Sequence, residues 1–178
     1  LIEDLLSFSR VTTQARPFVP VDLNKVMEDV TSDLETRISE TGGAVQVEDL
    51  PTVMADPTQM RQLLQNLVGN ALKFHKSDVP PVVRVRSEAV TAKSGKIKEF
   101  RLTITDNGIG FDEKYLDRIF AVFQRLHSRD SYKGTGIGLA VCRKIVERHG
   151  GTITALSTEG VGSTFIITLP TKKLKENS

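Results

Sequence analysis

The chain has 178 residues, which is enough for one domain with a substantial hydrophobic core. Hydrophobic residues at 39% and charged residues at 26% are typical of a globular chain, and a net charge of +2 without a basic stripe argues against a nucleic-acid partner. The single cysteine, Cys142, excludes an intramolecular disulfide and a cysteine-based zinc cluster. The sequence shows neither a membrane-spanning stretch nor a signal peptide, and because it begins without Met we expect it to be part of a longer protein.

The first 55 residues predict two helices joined by an extended linker. Apolar residues at helical spacing favour a helix over residues 1–16, and two prolines make residues 17–21 an extended linker. Residues 22–41 predict one amphipathic helix that begins at an acidic N-cap and ends at a pair of glycines. Alternating apolar residues then predict short strands at 45–48 and 53–55.

A strong helix start follows at Asp56, with Pro at the first helical position and Gln three residues after the cap. We expect this helix to run to about Phe74. Asn66, Asn70 and Lys73 lie along nearly one line beside its apolar face. Asn is unfavourable in the interior of a helix, so the pair requires an explanation. Either it forms a polar edge that faces solvent, or its amide oxygens hold hydrated Mg²⁺ while Lys73 contacts phosphate.

Two glycine-containing segments suggest a nucleotide site. Residues 106–110 (Asp-Asn-Gly-Ile-Gly) follow a predicted strand at 100–105, and residues 134–139 lead into a predicted helix at 139–149. A carboxylate at a strand end can accept a hydrogen bond from an exocyclic amine, and glycines before a helix let the backbone approach an anion. The second segment matches neither a P-loop nor a dinucleotide fingerprint, so each segment alone is also compatible with an ordinary turn.

The remaining elements complete an alternation of strands and helices. A strand at 82–90 is followed by a hairpin turn at 91–98 and, after the Asp106 segment, by a short helix at 112–119. A segment with two Phe residues and a polar stretch, at 120–133, could form a lid. The chain ends in a hairpin of strands at 152–156 and 163–169 and a polar tail at 171–178.

Together these motifs resemble the catalytic domain of sensor histidine kinases, in the wider GHKL ATPase group. The matching segments are residues 66–74 (N box), 106–110 (first glycine box), 120–125 (F box) and 134–139 (second glycine box), and the F box and second glycine box are most similar to the phytochrome- and PAS-linked branch. The resemblance implies an α/β (α+β) two-layer sandwich, the GHKL-type fold, in which a mixed sheet carries three helices on one face.

The same resemblance implies the domain organisation and the site. Residues 1–16 resemble the end of the second dimerisation helix, residues 17–21 a linker, and residues 22–170 the ATP-binding domain, followed by the tail. Asp106 would bond the adenine amino group, Asn66 and Asn70 would hold Mg²⁺, and Lys73 and Arg125 would meet phosphates. Residues implied to lie along adenine, ribose and the phosphate tail are Gly108, Gly110, Gly134, Thr135, Gly136, Ile137, Gly138 and Leu139.

The implied function is transfer of the γ-phosphate of Mg·ATP to a histidine of the dimerisation domain, and from there to an Asp of a response regulator. The histidines of this chain, His75, His127 and His149, are not followed by an acidic residue as the family's acceptor motif requires. We therefore expect the acceptor helix to lie outside this chain, which would bind Mg·ATP without completing autophosphorylation. The parent would be a homodimer with a cytoplasmic kinase domain, membrane-attached or not, and a monomeric fragment is compatible with the missing helix.

Two other functions remain open. A hydrolysing GHKL ATPase would carry Glu where Asn66 stands, so the Asn argues for transfer to a protein histidine rather than to water. A non-enzymatic ATP-sensing or interaction module would keep the fold without turnover, and the intact glycines and Asn pair argue against such decay.

Overall fold

The computed structural model describes residues 2–122 and 136–171. Its helices are α1 (Ile2–Thr13), α2 (Leu23–Asp33), α3 (Glu35–Thr41), α4 (Pro57–Lys73), α5 (Leu116–Ile119, preceded by a 3₁₀ turn) and α6 (Gly138–Arg148). Its strands are β1 (Val19–Asp22), β2 (Ala44–Val47), β3 (Thr52–Ala55), β4 (Val82–Thr91), β5 (Ile97–Asp106), β6 (Thr152–Thr158) and β7 (Gly162–Pro170).

A five-stranded mixed sheet in the order β2-β4-β5-β7-β6 forms one layer. Only β2 and β4 pair in parallel, and the other neighbours are antiparallel. Side chains on one face of the sheet are buried, among them Val83, Leu102, Ile104 and Ile167, while the alternate residues stay at least partly exposed. Helices α4 and α6 pack on this buried face and α2 packs on α4, which confirms the predicted two-layer sandwich.

The predicted extended linker at residues 17–21 is a paired strand for most of its length. Residues from Val19 onward form β1, which pairs antiparallel with β3 in a separate two-stranded sheet. Pro20 is compatible with this position because each strand of a two-stranded sheet has a free edge, where a missing N–H leaves no gap in the ladder. Pro20 therefore lies within an edge strand, whereas Pro17 lies before that strand begins.

The single helix predicted over residues 22–41 is wrong, since it is divided at Leu34. This residue leaves helical geometry (φ −97°, ψ 4°) although its side chain is buried. The preceding Asp33 is ion-paired with Arg61 on α4, so the turn between α2 and α3 keeps the carboxylate at the surface and Leu34 in the core. The apolar periodicity indicates that the residues of α2 and α3 share a buried face, but it does not indicate where the helix axis changes direction.

Helix α1 ends at Thr13, three residues before the predicted end, and packs against α6. Val11 is its buried residue, and Ile2, Leu5 and Leu6 are exposed. No helix among residues 2–122 and 136–171 combines the length and apolarity needed to cross a membrane.

Candidate nucleotide-binding site

Helix α4 supplies the predicted amide pair. It begins as expected, because the side chain of Asp56 accepts hydrogen bonds from the backbone N–H groups of Thr58 and Gln59. Near its other end, Asn66 Nδ2 donates to the carbonyl oxygen of Gly138 at the start of α6, at 3.3 Å. A carbonyl can only accept, so this bond fixes which side of the amide faces α6 and turns Oδ1 away from it.

Asn70 and Lys73 continue the line toward the end of α4. The carbonyl oxygen of Asn70 accepts from the N–H of Phe74 at 3.0 Å, and Lys73 Nζ lies 5.0 Å from the centroid of the Phe74 ring. Amide oxygens are ligands that Mg²⁺ accepts, and Mg²⁺ commonly takes further oxygens from phosphate. Within the described residues no group of three or more His, Cys, Asp and Glu side chains could hold a metal by itself. The amide pair therefore fits a magnesium ion that arrives with a nucleotide.

Asp106 ends β5 and its carboxylate is anchored on one oxygen. Oδ1 accepts from the N–H of Gly108 at 2.9 Å and from the N–H of Ser163 on β7 at 3.2 Å. Burial raises the pKa of Asp106 above its ordinary value, and the two backbone bonds oppose that shift. Since both bonds end on Oδ1, the carboxylate is held in one orientation by two elements that flank β5.

The glycines of this loop are required by close backbone contacts. A Cβ on Gly108 would lie 2.3 Å from the carbonyl oxygen of Phe74, and one on Gly110 would lie 2.2 Å from that of Thr158. Gly110 also has φ of +63°, which disfavours any residue with a side chain. The loop is consequently packed between the end of α4 and the end of β6, with no room for a larger residue.

Two residues that the sequence analysis did not select position this loop. Asn107 Oδ1 accepts from the N–H of Val82 at 2.8 Å, and its Nδ2 donates to Pro80 O at 3.3 Å, which ties the loop to the start of β4. Ser163 contributes its N–H to Asp106. The local sequence indicates neither role, because Asn107 bonds residues 25 and 27 positions earlier and Ser163 bonds a residue 57 positions earlier.

The loop also meets α4 directly. The N–H of Ile109 donates to the carbonyl oxygen of Phe74 at 2.9 Å, one residue beyond the last helical position. Together with the bond between Asn66 and Gly138, this contact places the end of α4 between the Asp106 loop and the start of α6. Three of the predicted motifs are thus brought together.

The second glycine segment is described only from Gly136, which has φ of +77°. Ile137 is buried at 1% exposure, and Leu139 packs against the core. Helix α6 begins at Gly138, and its N-cap residue Ile137 makes no side-chain hydrogen bond to the first backbone N–H groups of the helix. Gly134, Thr135, Arg125 and His127 lie outside the described residues, as does the F box from Phe123 onward.

The other residues singled out from the sequence have structural contacts. His75 Nδ1 bonds the carbonyl oxygen of Leu72 at 2.8 Å. Cys142 is fully buried on α6, one turn after Gly138, and burial raises the pKa of its thiol to about 12. His149 caps the end of α6 and is buried, as a structural residue would be.

The comparisons with known proteins agree with this geometry. The sequence profile of a family described as "Histidine kinase-, DNA gyrase B-, and HSP90-like ATPase" matches residues 55–173. The chain is 45% identical over 170 residues to cyanobacterial phytochrome A of Nostoc sp., covering 96% of this chain and 21% of that protein. It is 31% identical over 184 residues to the sensor protein kinase WalK of Staphylococcus saprophyticus, covering 99% of this chain and 29% of that protein.

Among solved structures, full-length ShkA in complex with AMPPNP superposes with a TM-score of 0.77 at 26% identity, over 98% of this chain and 36% of that one. The chain thus spans only about a fifth to a third of the length of these relatives. The matched profile covers every described part of the site, from α4 to β7. The chain therefore belongs to the histidine kinase-, DNA gyrase B- and HSP90-like ATPase family, as an ATP-binding catalytic domain of the histidine kinase type.

Proposed function

We propose that the domain binds Mg·ATP between the end of α4, the Asp106 loop and the start of α6, and presents the γ-phosphate to a histidine of the parent protein. The observation that carries the proposal is the convergence of these three segments through the Asn66–Gly138 and Phe74–Ile109 bonds. An ATP-binding family and a relative solved with AMPPNP support the nucleotide.

Adenine is assigned to the Asp106 end of the pocket. Oδ1 of Asp106 already accepts two backbone N–H groups, so Oδ2 is the atom proposed to accept the adenine amino group. Gly108 and Gly110 would lie against the base and ribose, where a side chain would clash with the protein's own backbone. A fixed acceptor beside a flat, glycine-lined surface favours a planar base with an exocyclic amine.

The phosphates are assigned to the other end. Asn66 Oδ1 and Asn70 are proposed to hold Mg²⁺, and Lys73 and the backbone of residues 134–139 to contact phosphate oxygens. Arg125 is proposed to reach the γ-phosphate, as the family resemblance implies. Bound Mg²⁺ would neutralise phosphate charge, while the protein groups orient the terminal phosphoryl group for attack by an external nucleophile.

The nucleophile is proposed to be a histidine of a dimerisation domain in the parent protein, with onward transfer to an Asp of a response-regulator receiver domain. Residues 1–16 would belong to that dimerisation domain, residues 17–21 would form the linker, and residues 22–170 the kinase domain. Similarity to sensor kinases supports this assignment, and so does Asn66, which cannot act as the general base that hydrolysis would need. The parent is proposed to act as a homodimer whose kinase domain lies in the cytoplasm, whether or not the parent is attached to a membrane.

Calorimetric titration of AMPPNP into the chain, with and without Mg²⁺, tests the site. Asp106→Asn turns an acceptor into an NH₂ group that would face the adenine amine, so we expect affinity to fall at least about tenfold, or 1.4 kcal/mol. Asp49→Asn, at an exposed carboxylate beyond β2, is the matched control and should bind like the wild type. Equal affinity of Asp106→Asn and wild type would contradict the adenine assignment.

The transfer step is tested separately. The chain is mixed with the two-helix dimerisation domain of its parent and radiolabelled ATP, and acid-labile, histidine-linked label is measured. Label on the helix pair supports the kinase assignment. Binding of AMPPNP together with phosphate release to water, and no label, would instead identify a hydrolysing ATPase.

A further inference from the structure

A buried polar cluster lies at the end of α6 opposite the nucleotide site. Its centre is Asp56, whose side chain is 1% exposed. While Oδ1 caps α4, Oδ2 accepts from the backbone N–H of Arg16 at 2.8 Å and from Arg148 Nη1 at 3.1 Å. One carboxylate therefore joins three segments: the start of α4, the end of α6 and the connection that follows α1.

Arg148 holds the same connection from the other side. Its Nη2 donates to the carbonyl oxygen of Arg16 at 2.8 Å, and its Nη1 also donates to Gln59 Oε1 at 2.8 Å. The guanidinium lies 4.6 Å from the centroid of the Phe18 ring. Because Asp56 binds the N–H of Arg16 and Arg148 binds its C=O, this peptide segment is fixed at both of its polar groups.

Helix α1 is attached by three further bonds from the same pair of helices, one of which runs from Gln62 Nε2 to Ser7 Oγ. Gln59 Nε2 donates to the carbonyl oxygen of Val11 at 2.8 Å, one of the last carbonyls of α1. Lys144 Nζ donates to that of Phe8 at 3.1 Å and lies 4.2 Å from the Phe8 ring centroid. The attachment of α1 to α4 and α6 thus combines these directional polar bonds with apolar packing of Val11 and Phe8.

His149 completes the cluster, and its partners fix its protonation. Its Nε2 lies 3.1 Å from the backbone nitrogen of Asp56, and an N–H group can only donate. Its Nδ1 lies 2.7 Å from the carbonyl oxygen of Ile145, and a carbonyl can only accept. The ring is therefore neutral, with its proton on Nδ1. It stacks on Phe18 with centroids 4.4 Å apart and planes 14° from parallel.

We propose that Asp56, Arg148, His149 and Phe18 form a latch that fixes α1 and its connection against the nucleotide fold, and that the latch opens when His149 takes up a proton. A proton on Nε2 would turn Nε2 into a donor that faces the backbone N–H of Asp56, which is also a donor. The hydrogen bond between these two groups would then be lost. The imidazolium would also carry a positive charge beside the guanidinium of Arg148. Phe18, released from the stack, would no longer hold the connection.

The direction of the pH dependence follows from the groups that face the ring. Burial lowers the pKa of His149 and Arg148 lowers it further, whereas the Ile145 bond and the Asp56 carboxylate raise it, with burial the largest effect. A helix C-terminus also favours the charged form, but the net shift is downward. The latched state is then fully stabilised above the ordinary histidine pKa of about 6.5 and loses stability as the pH falls from there through the lowered pKa.

Hydrogen–deuterium exchange of the α1 amides, corrected for intrinsic rates, tests the latch without nucleotide or acceptor histidine. Arg148→Met and Phe18→Ala should each reduce the protection of α1 at pH 7.5 by at least about tenfold, the effect of losing charge-assisted bonds or buried stacking. Arg143→Met is the matched control, because Arg143 on the same helix pairs with the exposed Glu147 and has no contact with Asp56, Phe18 or α1 among the interactions of the described residues. Protection of β5 and β7 verifies that the fold is intact.

The proton dependence is tested with His149→Gln, which keeps an acceptor and a donor but does not titrate near neutrality. In the wild type, ring ¹⁵N shifts of His149 should show the Nδ1–H tautomer at pH 7.5, and α1 protection should fall in the pH range where the ring titrates. In His149→Gln, protection should not change over that range. Unaltered α1 protection in Arg148→Met, or the same pH profile in wild type and His149→Gln, would overturn the proposal.

Discussion

The two ends of the candidate nucleotide pocket differ in how tightly the protein packs around its own backbone. At the adenine end, added Cβ atoms on Gly108 and Gly110 would come within 2.3 Å of backbone oxygens. At the proposed phosphate end, a Cβ on Gly138 would meet Asn66 Nδ2 at 4.0 Å as its nearest contact among the described residues, its chain neighbours and its own helix backbone aside. Asp106 is held by two backbone donors, whereas Asn66 donates to one carbonyl at 3.3 Å and has a side-chain hydrogen bond with Cys142.

This difference indicates a division of roles. A pocket end that is rigid before ligand binding loses little entropy on binding and contributes affinity and selectivity. An end with space and few fixed contacts can accept a charged group of variable position and become ordered around it. We therefore expect adenine recognition to depend on preformed geometry, and phosphate and Mg²⁺ binding to organise the residues near Gly138.

The largest expected effect compares two glycine-to-alanine substitutions. Gly110→Ala forces φ of +63° on a residue with a Cβ and creates a 2.2 Å contact with Thr158 O, so we expect a loss of about 3 kcal/mol or more in unfolding free energy. Gly138→Ala begins a helix with free space and should change stability by at most about 1 kcal/mol, in the stabilising direction. Urea denaturation measures both, and similar losses would remove the proposed contrast.

The next effect concerns magnesium. Asn66→Ala removes a proposed amide ligand, so the gain in AMPPNP affinity on adding Mg²⁺ should shrink about tenfold, while affinity for adenosine should stay unchanged. Gln65→Ala, the preceding residue of α4, is the control and should behave like wild type in both titrations. A parallel loss of adenosine affinity in Asn66→Ala would mean that the two ends are not separable. Isothermal titration at fixed pH gives both values.

A smaller effect is expected for the stability of Asp106→Asn. Burial raises the pKa of Asp106, because it disfavours the charged carboxylate. The stability that this carboxyl group contributes is therefore fully present below the ordinary Asp pKa, and it is lost as the pH rises through the raised pKa of the folded state. Asn keeps an oxygen for Gly108 and Ser163 without the buried charge. At pH 7 the variant should therefore be about 0.5 to 1 kcal/mol more stable than wild type, with the difference fading in acid. Urea unfolding at pH 7 and pH 4 measures it, and a destabilised variant at pH 7 would contradict the argument.

The least perturbing experiment uses Cys142 as a probe beside the phosphate end. Only thiolates react quickly, and burial raises the pKa of this thiol to about 12, so a disulfide reagent should label the native chain far more slowly than the denatured chain at pH 8. Mg·AMPPNP should slow labelling further if it orders the start of α6. Labelling that is equally fast in native and denatured chain would place Cys142 in an open environment.

The elements that could be predicted are those with strong local signals. The limits of α4 follow from the Asp56 cap, Pro57 and the periodic apolar residues, and the structure confirms them within one residue. Asp106 was located at a strand end because the alternation of β5 leads directly to it. The family motifs then identified the site, although which groups contact ATP and Mg²⁺ stays a prediction.

What the sequence did not indicate depends on distant partners. The pairing of β1 with β3 and the turn at Leu34 are decided by contacts with other elements, not by local propensity. Ser163 reaches Asp106 only because β7 lies beside β5. The contact of His149 with Phe18 joins residues more than a hundred positions apart and leaves no local pattern.

The position of β7 has a consequence for how the domain is made. Although β7 is the last of the seven described strands to leave the ribosome, it lies inside the sheet between β5 and β6. Until it emerges, β5 has one unpaired edge, β6 has no neighbour in the sheet, and Asp106 lacks the N–H of Ser163. A nascent chain therefore cannot complete its sheet or the backbone contacts of Asp106, the proposed adenine acceptor, before translation has passed Pro170, and it exposes an aggregation-prone edge until then.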